Sequence, residues 1–188
     1  MSMRSTSASS GAHSKHRELE APSPWVQRWA ALVERGPVLD VACGAGRHAR
    51  LFAERGLDVV AVDRDLQDIP GVRFVQADLE ADGRWPFGDE RFAAIVATNY
   101  LHRPLFAQLE AALADGGVLI YETFMVGNEK YGRPSNPAFL LQPGELLQAF
   151  RGLTPLAFEQ GYVETPKPAM IQRLCARRGH MGRARIAP

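Results

Sequence analysis

Short apolar runs, each closed by turn chemistry and separated by helical spacing, constrain this chain more than any other feature. Val38-Leu39-Asp40-Val41-Ala42, Leu57 to Val62 and Phe92 to Ala97 have the length and β-branched content of strands covered on both faces. Val72 to Ala77 alternates apolar and polar residues as a further strand, and Val118 to Glu122 follows as a fifth. Between them lie residues at three- and four-residue spacing. Trp25, Val26, Trp29, Leu32 and Val33 follow a Ser23-Pro24 helix start and run to Gly36. Arg47 to Arg55 forms a second helix stopped by Gly56, and Leu105 to Leu113 a third. Such alternation favours a parallel sheet with helices on both faces. The last extended segments, Leu153 to Glu164 and Ala169 to Arg177, are separated only by Thr165-Pro166-Lys167-Pro168. A linker that short leaves no room for a crossover helix, so these strands pair antiparallel at one edge.

At 188 residues the chain has the length of one domain, expected over residues 23–178 between loose tails at 1–22 and 179–188. Its 22 basic and 21 acidic residues nearly cancel, which leaves no general field to recruit a polyanion. No nucleic-acid partner is therefore expected. Cys43 and Cys175 lie far apart with no ligand spacing around them, so neither a disulfide framework nor a metal site is signalled. No run approaches membrane-spanning length and the first ten residues lack an apolar segment, which points to a cytoplasmic protein with no membrane partner.

In an open α/β sheet the ligand lies beyond the carboxyl ends of the strands. Here those positions hold Asp40 to Gly46, Asp63, Asp78, Thr98 to Arg103 and Glu122 to Phe124. Gly44-Ala45-Gly46-Arg47-His48-Ala49 fits a loose dinucleotide fingerprint, with Asp63 placed where such folds keep a ribose carboxylate. Asp40, however, would set negative charge beside a pyrophosphate that wants only backbone N–H groups. A nucleoside with a cationic end and no phosphate suits it better, and S-adenosylmethionine is such a ligand. Asp40 would serve its ammonium, Asp63 its ribose hydroxyls and Asp78 its adenine.

These residues resemble class I S-adenosylmethionine-dependent methyltransferases. Val38 to Gly46 is similar to that family's first motif, Val59-Val60-Ala61-Val62-Asp63 to its second and Gln76-Ala77-Asp78-Leu79 to its third. Phe92-Ala93-Ala94-Ile95-Val96 resembles the fourth, with Ala93 where the family often has Asp, and Leu113 to Ile120 resembles the following helix and strand. Asn99 to Arg103 together with Glu122-Thr123-Phe124 is similar to a small bacterial subgroup of the tellurite-resistance type. The resemblance implies a single Rossmann-like α/β domain with a seven-stranded mixed sheet in the order 3-2-1-4-5-7-6, strand 7 antiparallel. It also implies S-adenosyl-L-methionine as cofactor, held by Asp40, Ala42, Gly44, Gly46, Asp63, Asp78, Leu79 and Thr98.

Methyl transfer needs an in-line nucleophile and a group to take its proton. His102 is the candidate base, or a solvent contact in the first turn of the next helix. Tyr100 lines an acceptor pocket or packs in the core. Glu122 binds an acceptor amine or pairs with an arginine. Asn99 bonds substrate or caps a helix starting near Leu101, Arg103 binds an anionic acceptor or lies on a solvated helix face, and His48 lies on a helix surface. The long segment from Phe124 to Gln142 is a substrate lid or an inert excursion. The resulting expectation is methylation of a small molecule by a monomer or homodimer. The alternatives are an NAD(P)-dependent oxidoreductase, a non-catalytic nucleotide-binding module and, last, an RNA methyltransferase.

Overall fold

The computed structural model describes residues 20–81 and 84–179; the expected tails fall mostly outside them. Seven strands, β1 (Val38–Val41), β2 (Val59–Asp63), β3 (Arg73–Gln76), β4 (Phe92–Thr98), β5 (Leu113–Phe124), β6 (Thr154–Val163) and β7 (Ala169–Arg177), form one sheet. Its order is β3-β2-β1-β4-β5-β7-β6, with β7 antiparallel to both neighbours and the other pairs parallel. The expected fold class and edge hairpin are both present.

Successive residues of a strand face opposite sides of a sheet, so two cores result. One side carries Val38, Val59, Ala61, Ala94, Val96, Val118 and Ile120 against α1 (Pro24–Ala30) and α2 (Arg47–Ala53). The other carries Leu39, Val41, Val60, Val62, Ile95, Ala97 and Leu119 against α3 (Phe106–Ala112) and α4 (Glu145–Ala149). Burial on both faces accounts for the near-continuous apolar character of β1, β2 and β4.

The helices are shorter than their apolar spacing suggests. α1 ends at Ala30, and Leu32 and Val33 close three-residue turns onto the carbonyls of Trp29 and Ala30 at 3.0 and 3.1 Å. Val33 remains buried, which is why its spacing reads as helical. Strand β5 instead begins five residues early, at Leu113, with an irregular register between Phe92 and Ala94 of its partner.

Candidate functional site

The turn after β1 is shaped by backbone conformation. Ala42 has φ of 51°, and Gly44 and Gly46 have φ of 53° and 79°. Gly46 is packed: a Cβ there would strike the Ile69 side chain, so the turn is held tightly against the segment after β2. Gly44 differs, because a Cβ on it would meet nothing within 4 Å. The turn is thus anchored at one glycine and open at the other.

Asp63 closes β2 beside this opening. One carboxylate oxygen accepts the Gly44 N–H at 2.8 Å and the other the Asp65 N–H at 3.1 Å. Asp78, exposed after β3, accepts the Glu80 N–H at 2.9 Å. Ala42, Arg64, Asp78, Leu79, Glu80 and Tyr100 line a cleft of about 280 Å³, near the lower end of the usual range for ligand sites, roughly 300–1,000 Å³. Arg64 and Glu80 were not singled out from sequence. Their signal is position, directly after Asp63 and two residues past Asp78.

Asp40 is not on the cleft surface. It is 1% exposed, and its carboxylate accepts the Ala49 N–H of α2 at 2.9 Å. Burial pushes its carboxyl up to about 7, against the lowering effects of that N–H and of Arg47. Its visible work is to bind α2 to β1.

His48 is a correction to the sequence reading. It is 2% exposed, with Nε2 accepting the Ser23 N–H at 3.1 Å and Nδ1 lying 3.4 Å from Thr98 Oγ1. Nε2 is an acceptor here, so Nδ1 carries the proton of a neutral ring. Burial, then the charge of Arg47, lowers its pKa to about 3. Thr98 is therefore held from the side of α1 and α2.

Glu122 is likewise committed within the fold. Its Oε1 accepts the Ser23 hydroxyl at 2.7 Å and its Oε2 accepts from Arg173 at 3.2 Å. Arg173 also bonds Glu159 at 2.6 Å and lies 4.9 Å from the Trp25 ring centre. Of the two roles expected for Glu122, the arginine pair is present, and it joins the start of α1 to β5, β6 and β7.

Asn99 does not cap a helix. It has φ of 55°, and the next turn is a 3-10 helix over Arg103–Leu105 that follows His102 without a side-chain cap. His102 is half-buried at that turn, two residues past Tyr100. Arg103 reaches across to the segment after β5, donating to Glu145 at 2.6 Å and to the carbonyls of Ala138 and Leu140 at 2.7 and 2.9 Å.

That segment is bolted down. Asn128, 1% exposed, donates to the Pro134 carbonyl and accepts the Met170 N–H, both at 3.1 Å. Gln172, fully buried, accepts the Leu146 N–H at 2.7 Å and donates to the Gln142 carbonyl at 3.0 Å. Residues 125–146 accordingly form a hydrogen-bonded wall, anchored at Asn128, Leu140 and Gln142, with most of 129–139 exposed between the anchors.

A larger cleft of about 420 Å³ lies at the opposite end of the sheet, lined by Pro37, Asp58, Val60, Arg73 and Glu90. It holds none of the residues singled out above. Among the described residues no cluster of His, Cys, Asp and Glu is placed to hold a metal ion, and no helix is long and apolar enough to cross a membrane.

The donor set fits an S-adenosyl nucleoside. An open glycine, a carboxylate on the next strand and a cleft closed by Asp78 and Leu79 lie side by side. Comparison with known proteins agrees in kind. TehB from Haemophilus influenzae superposes with a TM-score of 0.67 at 18% identity, over 82% of this chain and 61% of that one. The Burkholderia thailandensis 1,6-didemethyltoxoflavin-N1-methyltransferase, solved with 1,6-didemethyltoxoflavin and S-adenosylhomocysteine, superposes at 0.59 with 22% identity, over 83% of this chain and 76% of that one. Ribosomal RNA small subunit methyltransferase H from Gemmatimonas aurantiaca is 28% identical over 149 residues, 75% of this chain and 46% of that protein. The chain thus spans about half the length of that relative and three fifths of TehB. The family described as "Methyltransferase domain" matches residues 13–152, most of the chain, and this protein belongs to it.

Proposed function

We propose that this methyltransferase moves a methyl group from S-adenosylmethionine to a small-molecule acceptor. The observation that carries the reading is the meeting of Asp63, the open Gly44 and the Asp78-Leu79 cleft at the carboxyl ends of neighbouring strands. When bound, the cofactor supplies a methyl group on a positively charged sulfur, already activated for displacement. The protein's own contribution is position and proton handling. Asp63 would hold the two ribose hydroxyls and Asp78 the base amino group, with Ala42, Gly44 and Leu79 leaving room for the nucleoside. Gly46 keeps the turn in register against Ile69. Asp40, shut behind the turn, orients α2. Thr98, steadied by His48, borders the methyl-transfer side. His102, on the next turn, takes the proton from a hydroxyl, thiol or ammonium acceptor.

A small acceptor is supported by the small substrate in the Burkholderia neighbour. The ribosomal RNA relative motivates the other reading, an RNA acceptor. Incubation with methyl-labelled S-adenosylmethionine and a cell extract, followed by separation of RNA from small solutes, tests the choice. Label in a small solute other than S-adenosylmethionine, absent when the protein is omitted, is expected; enzyme-dependent label confined to RNA would overturn it.

A further inference from the structure

Tyr100 and Tyr121 are two phenols with opposite fates. The Tyr121 hydroxyl, on a fully buried side chain, donates to the Tyr100 carbonyl at 2.9 Å and fixes the backbone just past β4. The Tyr100 hydroxyl is itself shielded from solvent, yet it has no hydrogen-bond partner among the described residues. The Glu80 carboxylate acts on it through its charge and through a contact that falls short of a formed hydrogen bond. A shielded hydroxyl left unbonded is unfavourable, and in native proteins such groups are exceptions that call for a reason.

The reason lies in where the ring sits. Tyr100 borders the cleft shared by Ala42, Asp78 and Leu79, on the nucleoside side of the site. Burial first, then the charges of Glu80 and Asp78, holds the phenol protonated far above neutral pH. It is therefore available as a donor and unsuited to taking a proton from an acceptor.

We propose that the Tyr100 hydroxyl donates a hydrogen bond to the adenosine portion of the bound methyl donor, which makes it a nucleoside-binding residue and not part of the acceptor's chemistry. The inference rests on the proposed function. Calorimetric titration of the wild type and Tyr100→Phe with S-adenosylhomocysteine, and separately with adenosine, tests it alongside thermal unfolding without ligand. Loss of one hydrogen bond should weaken both ligands about tenfold. Removal of an unbonded hydroxyl should leave the ligand-free Tm unchanged or raise it by about 2–4 °C.

Equal affinity in the two proteins would overturn the inference, as would weakening of S-adenosylhomocysteine without weakening of adenosine. A ligand-free Tm lowered alike by Tyr100→Phe and Glu80→Gln, with S-adenosylhomocysteine affinity unchanged in the first, would show that the phenol serves the fold through Glu80 and would also overturn it. Failure of the wild type to bind S-adenosylhomocysteine would count against the proposed function itself.

Discussion

His48 accepts the backbone N–H of Ser23 through Nε2 at 3.1 Å, so the N-cap of α1 is tied to the start of α2 by a neutral imidazole. Asp40, whose carboxylate accepts the N–H of the next residue, Ala49, is buried with its carboxyl raised. The two groups pull the stability profile in opposite directions.

The pKa of His48 falls from 6.5 to about 3 on folding, so between those values the unfolded chain binds more protons and stability rises with pH. The pKa of Asp40 rises from 3.8 to about 7, so in that window the folded chain binds more protons and stability falls as pH rises. Relative to wild type, Asp40→Asn should gain stability as pH goes from 4 to 7, and His48→Gln should lose it from 3 to 6.5. Each slope is bounded at about 1.4 kcal/mol per pH unit. Urea denaturation at three pH values measures this; curves parallel to wild type would show that neither group titrates as described.

Gly44 and Gly46 should respond differently to alanine. Gly46→Ala forces a Cβ against Ile69 on a backbone with φ of 79°, so a loss of stability of about 2 kcal/mol or more is expected. Gly44→Ala meets no neighbour, and backbone strain alone should cost about 1 kcal/mol. Its effect should appear instead as a loss of S-adenosylhomocysteine binding. Thermal unfolding paired with calorimetry separates the two, and an unaffected affinity in Gly44→Ala would place the ligand elsewhere.

Arg103 joins the rim that carries His102 to the wall formed by residues 125–146, through Glu145 and two backbone carbonyls. Arg103→Ala should lower stability by about 1–2 kcal/mol, discounted for partial exposure. It should also speed tryptic cleavage after the exposed Lys130. A cleavage rate equal to wild type would mean that the wall stands without this contact.

His102→Gln tests the proton acceptor. With the acceptor identified by labelling, kcat should drop about 100-fold while S-adenosylhomocysteine affinity stays within twofold. An undiminished kcat would remove His102 from the chemistry.

The parallel part of the fold was legible because burial on both faces writes itself into β1, β2 and β4 as apolar runs, and the hairpin because four residues admit no crossover. Helix ends were less so, since Val33 is buried by packing after the helix has stopped. His48 was misread because what buries it, Ser23, is 25 positions away, and helical spacing around Arg47 carries no trace of that contact. Asn128 and Gln172 were invisible for a related reason. Amides that anchor a loop look like ordinary polar residues until Met170 and Leu146 are seen donating to them. The carboxylates after the strands were legible as a set, but sequence could not separate Asp63, which faces the open turn, from Asp40, which is sealed behind it.

Calorimetric titration of S-adenosylhomocysteine into wild type and Asp63→Ala tests the central claim most directly. The account predicts binding by wild type and a loss of at least tenfold in Asp63→Ala, with the fold retained by circular dichroism. Equal binding by both proteins, or binding of NADH in place of S-adenosylhomocysteine by wild type, would contradict it.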